Sequence, residues 1–147
     1  MNRNGFSLIE TLIYTSLLAA LCVVAFSWMN NSLQSFAKIN KKSQQVMMAQ
    51  AILCRLAADI QMADSAESRW HCQDGQLSLY HTKAHITWAK EKDKLYRIEN
   101  RSKALIGTHL VQFTHKLVTE GTQVKGIKCV LQFPDASFSH TIRVYNG

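Results

Sequence analysis

Hydrophobic and polar positions change their spacing twice along this 147-residue chain. Residues 6–28 are apolar almost throughout, interrupted by hydroxyls and by one charge, Glu10. As a helix this run of about 23 residues would rise ~35 Å, enough to cross the hydrocarbon of a bilayer. From residue 29 the apolar side chains retreat to one stripe: Phe36, Ile39, Val46, Leu53, Ala57 and Ile60 recur at helical spacing, with Ala49 and Leu56 filling it. Lys38, Lys41 and Lys42 fall on the wet side of that stripe. No glycine or proline occurs from residue 6 to residue 74, so both segments are expected to form one unbroken helix to about residue 63, ~87 Å of rise.

The second change comes after Asp64, where the period becomes two. Ile127, Cys129, Leu131 and Phe133 alternate with Lys128, Val130 and Gln132, and beyond the turn Pro134-Asp135-Ala136 the series Phe138, His140, Ile142, Val144 repeats the pattern. Shorter strands are expected at 76–82, 84–89, 95–99 and 110–118, separated by Asp74-Gly75, a charged turn at 90–94 and a loop at 100–103. The expected fold is α+β: a long amino-terminal helix, membrane-spanning in its first half and amphipathic in its second, packed on one antiparallel sheet of about five to seven strands. The length allows one modest core on such a helix and no second domain.

Glu10 is the position that chemistry must explain. A carboxylate at hydrocarbon depth costs roughly 2.5 to 3.5 kcal/mol on insertion scales, so it needs a partner of opposite charge. An ordinary secretory signal would place a small-residue cleavage site beyond its apolar core, where Ala25-Phe26-Ser27 fits poorly. A cut after Gly5 would instead free an α-amino group on Phe6 at the head of the apolar run. If Glu10 pairs with that amine on a neighbouring chain at ~4 Å, the attraction reaches a few kcal/mol at an effective dielectric near 20.

The segment Gly5-Phe6-Ser7-Leu8-Ile9-Glu10, with Arg3 in a five-residue leader and an acid at the fifth position of the chain after cleavage, resembles the processing site of type IV pilins and type II secretion pseudopilins. The resemblance implies a prepilin leader at 1–5, cleavage after Gly5 by a prepilin peptidase, N-methylation of Phe6, and assembly through Glu10. It divides the chain into the leader, a transmembrane half-helix at 6–28, an amphipathic half-helix at 29–63 and a β head at 64–147. The order Arg55-Leu56-Ala57-Ala58-Asp59-Ile60, Leu95-Tyr96-Arg97, Leu110-Val111-Gln112-Phe113 and a closing hairpin is similar to J-type minor pseudopilins and to PilW-like and ComGF-like minor pilins. That likeness implies a structural subunit of the tip or priming complex of a pseudopilus or pilus. It would sit in the bacterial inner membrane by a single pass, with its head outside the cytoplasm, before joining the filament. Its partners would be other minor and major pilins, the I and K types in secretion systems, and membrane lipid before assembly.

Charge supplies an alternative. The formal net charge is +7, and +6 once Arg3 is subtracted with the leader. Lys83, Lys90, Lys92, Lys94, Arg97, Arg101 and Lys103 cluster near Trp88 and Tyr96, the combination that would grip phosphates and stack bases in a competence-type minor pilin that contacts DNA. Glu91, Asp93 and Glu99 interrupt the cluster, and a charged hairpin also serves simply to discourage strand pairing at a sheet edge.

Catalytic and metal chemistry find little purchase. His81 and His85 would share a strand face, but no Cys-x-x-Cys, His-Glu-x-x-His or aspartate-rich calcium loop accompanies them. No Gly-x-Ser-x-Gly elbow or cysteine-protease signature places a nucleophile, so no enzymatic activity, metal or cofactor is expected. Of the four cysteines, Cys22 lies in the apolar run and Cys54 on the amphipathic segment. Cys72 with Cys129 is the candidate disulfide for an oxidising compartment; Cys54 with either, or buried free thiols, are the alternatives.

Overall fold

The computed structural model describes residues 8–63, 69–73, 75–80 and 84–144. One helix, α1 (Leu8–Met62), runs without interruption, as the absence of glycine and proline requires. The chain divides into two compact units, Met1–Lys41 and Lys42–Gly147. In the first unit the described residues are helix alone, and Leu8, Leu12, Leu17, Leu21, Val24 and Phe26 are all exposed.

The second unit holds the core. Among the described residues eight antiparallel strands follow the helix: β1 (Trp70–Gln73), β2 (Gln76–Tyr80), β3 (His85–Glu91), β4 (Lys94–Glu99), β5 (Ser102–Gly107), β6 (Gln112–Glu120), β7 (Gln123–Phe133) and β8 (Ala136–Arg143). They form two sheets rather than the single one expected, in the orders β1-β2-β3-β4-β5 and β6-β7-β8. The additional strands are β1 and β5. The expected loop at 100–103 is a tight turn in which Asn100 and Arg101 take positive φ, 47° and 74°, the backbone of a two-residue hairpin that matches strand twist.

Alternation sets which sides of the sheets are dry. Ile127, Cys129, Leu131 and Phe133 of β7 are buried, as are Leu77 and Leu79 of β2, and Ile86 and Trp88 of β3. Against them α1 presents Gln45, Ala49, Ile52, Leu56, Asp59 and Ile60. This buried line is turned slightly from the expected stripe: Ile52 is at its centre, Val46, Leu53 and Ala57 flank it, and Phe36 and Ile39 are exposed. Gly107, at the end of β5, lets the strand close on the helix, since a Cβ there would stand 2.7 Å from Ile52 Cδ1. The adjoining Thr108 N–H donates to Met48 Sδ at 3.4 Å.

Candidate functional site

Gly5 and Phe6, the expected processing site, lie outside the described residues. Glu10 is described. It falls in the first turn of α1, where a carboxylate meets the positive end of the helix dipole, and it is exposed among exposed apolar neighbours. The helix carrying it qualifies by length and composition as a candidate membrane span, and none of the side chains in its most apolar window is buried within the chain. An exposed surface of this kind on leucine, valine and phenylalanine is stable only against lipid or other apolar chains.

At the other end of α1 a polar constellation ties helix to sheet. The Asp59 carboxylate accepts from Arg97 Nε at 2.7 Å on Oδ2 and from Arg97 Nη2 at 3.0 Å on Oδ1, a two-pronged pairing. Trp88 Nε1 donates to the same Oδ2 at 2.9 Å. The third guanidinium nitrogen, Nη1, donates to Glu99 Oε2 at 2.6 Å. Asp59 and Arg97 are both buried, and Trp88 is completely so. The hydrogen bonds that Arg97 donates to Asp59, opposed in part by desolvation, raise the guanidinium pKa above its already high ordinary value, so the cation persists at every pH the fold meets.

This arrangement withdraws the centre of the basic cluster from solvent. Arg97 offers no phosphate contact, because its charge is spent on two carboxylates within the fold, and Trp88 presents no ring face for a base. Lys103 donates to both oxygens of Glu91 at 2.7 Å and lies 4.0 Å from the centre of the Tyr96 ring. The Lys90 ammonium reaches the Lys92 carbonyl. Lys92, Lys94 and Arg101 are exposed around these pairs, while Lys83 lies outside the described residues. The cluster weighed as an alternative DNA contact has a helix clasp at its centre, with surface ion pairs around it worth no more than about 1 kcal/mol each.

A signal for the clasp did exist in the sequence. Asp59 stands between Leu56 and Ile60 on the buried line of the helix, and Arg97 shares the inward face of β4 with Leu95, so each is a charge in an apolar row. Two misplaced charges of opposite sign point to each other.

Cys22 and Cys54 are exposed free thiols, and Cys72 and Cys129 are also free, the former exposed and the latter buried. His85 stacks on Tyr80 with ring centres 4.3 Å apart, and His81, weighed and set aside with it as a metal pair, lies outside the described residues. Among the described residues no group of three or more histidine, cysteine, aspartate or glutamate side chains could hold a metal ion.

No protein-family model, curated protein or solved structure matches the chain.

Proposed function

We propose that the chain is a non-catalytic assembly subunit of the pilin type, a minor pilin or pseudopilin that packs by its amino-terminal helix into a filament tip or priming complex. The observation that carries this reading is the placement of Glu10: one carboxylate in the first turn of a helix whose apolar side chains are uncovered, on the same continuous α1 that farther on is fastened into a β-sheet core. A carboxylate at hydrocarbon depth is costly, and a cation brought beside it lowers that cost. The amine released on Phe6 of a neighbouring copy or relative would supply that cation, fixing the axial register of one helix on the next. Before assembly the apolar segment would be held by lipid, which makes the chain a single-pass membrane protein with the sheets on the side away from the cytoplasm.

Glu10→Ala tests the register mechanism. The variant should partition into membranes as wild type does, since removing the charge only makes the segment more apolar. Its yield of helix-to-helix crosslinks with co-assembling subunits, read from cysteines placed along the exposed half of α1, should fall at least tenfold. Unchanged crosslinking by Glu10→Ala would refute the reading.

A further inference from the structure

Cys72 and Cys129 are drawn together by the way the two sheets meet. Cys72 pairs across β1 and β2 with Leu77 and lies two residues from Trp70, both buried, so it shares their side of β1 while itself remaining exposed. Cys129 occupies the inward row of β7 between Ile127 and Leu131. Its direct cross-strand partner is His115 of β6. Strand β1 lies beside β6. Cys72 and His115 line one cavity of about 120 Å³ together with Gln73, Gly75 and Thr114. Cys72 therefore lines this cavity, and Cys129 stands directly across the strand pair from His115, which lines it too.

We propose that Cys72 and Cys129 are a redox pair that closes to a disulfide and clips the five-stranded sheet to the three-stranded one. The step is thiol–disulfide exchange with an oxidant that is itself a disulfide. The exposed Cys72 loses its proton and attacks the oxidant, forming a mixed disulfide and releasing one thiolate. Cys129 then loses its proton and attacks the Cys72 sulfur, expelling the second thiolate. Two protons and two electrons leave the pair, and the oxidant is reduced to two thiols.

Desolvation sets the kinetics. Burial pushes the Cys72 thiol up to about 11. Burial, together with the nearby charge of Cys72, pushes Cys129 up to about 12. Few thiolates are present at neutral pH, so closure is slow there and accelerates about tenfold per pH unit up to pH 9 and beyond. The same property makes both sulfurs poor leaving groups, so the closed clip resists reduction by monothiols. The inference goes beyond the assembly reading and is independent of it, because it needs only a disulfide oxidant.

The test uses the full chain in detergent micelles with Cys22→Ser and Cys54→Ser, incubated with glutathione disulfide at pH 7, 8 and 9, then alkylated and digested with trypsin. The expected product is peptide 70–83 joined to peptide 129–143, two mass units lighter than the separate thiols. Its rate should rise about a hundredfold across those two pH units. The oxidised protein should melt about 10 to 20 °C above the reduced one, and a further Cys129→Ser substitution should abolish the shift. Cys72 that ends as a stable glutathione adduct, or two cysteines that remain alkylable throughout, would overturn the proposal. So would a joined product with no gain in melting temperature.

Discussion

Removing the Asp59 carboxylate should be among the most damaging single changes available to the head. In Asp59→Ala the Arg97 guanidinium remains buried and loses two of its hydrogen bonds, while Trp88 Nε1 loses the acceptor 2.9 Å away. Breaking a buried ion pair by deleting one partner costs about 3 to 5 kcal/mol, and an orphaned buried N–H adds about 1 to 3. Glu99 still accepts from Arg97 Nη1, and its side chain is 41 % exposed, so it holds the cation at the wet edge and relieves part of that cost. The expected loss is about 3 to 5 kcal/mol in all. Asp59→Leu combined with Arg97→Met removes both charges and should recover all but about 1 to 2 kcal/mol, the residue being the Trp88 N–H. The cycle of single and double variants should then give a coupling of at least about 2 kcal/mol. Urea unfolding of the full chain in micelles, followed by the fluorescence of the buried Trp70 and Trp88 on a Trp28→Phe background, measures each corner. A cost under about 1 kcal/mol for Asp59→Ala, or strict additivity in the double variant, would refute the argument that this clasp fastens helix to sheet.

Gly5→Leu should leave residues 1–5 attached while the chain still inserts in membranes, since the apolar segment is untouched; intact mass of protein from native membranes should show loss of 1–5 plus one methyl group in wild type only. Gly126→Ala places a Cβ 2.6 Å from the Ile142 carbonyl oxygen, a backbone atom that cannot swing aside, so the β7–β8 pairing should lose about 1 to 3 kcal/mol, read as a lower urea midpoint. The reduced head should weaken in alkali: above the ordinary thiol value of 9.0 the unfolded chain gives up protons that Cys72 and Cys129 retain to about 11 and 12. The folded state then binds more protons, so stability falls as pH rises from 9 to 12. Cys129→Ala should flatten that fall relative to wild type, and equal slopes in urea midpoints between pH 8.5 and 10.5 would count against it.

The helix was legible because its signal is continuous: no breaker interrupts it, and Glu10 is the only charge in its apolar run. Its buried face was less so. Apolar residues cover so much of the second half that period alone could place Ala49, Leu56 and Ile60 in the stripe but not choose Ile52 over Val46, Leu53 and Ala57 as its centre. Strands β3, β4, β7 and β8 betrayed themselves by alternation. Strand β5 did not, because Ser102, Lys103, Ala104 and Leu105 are all exposed, and a strand without a dry face has no period to read. Strand β1 is four residues long with one buried. The split into two sheets is set by pairings on which local spacing is silent, while the Asp59–Arg97 clasp left only a charge in each of two apolar rows.

In each sheet every neighbour in space is the next strand in sequence. The strands can therefore zip as hairpins across short turns with little loop entropy to overcome. Docking of the helix is different. Asp59 finds Arg97 38 residues later, and Gln45 finds Asp135 90 residues later, at the β7–β8 turn. The helix is made first and covered last. At about 5 to 20 residues per second, the ~75 residues from Ile60 to Asp135 take about 4 to 15 s to synthesise. For that interval the row Ala49, Ile52, Leu56 and Ile60 is an apolar ridge only partly covered on a nascent chain, open to whatever chaperone or translocation factor reads such surfaces, and its cover is complete only when the last hairpin arrives.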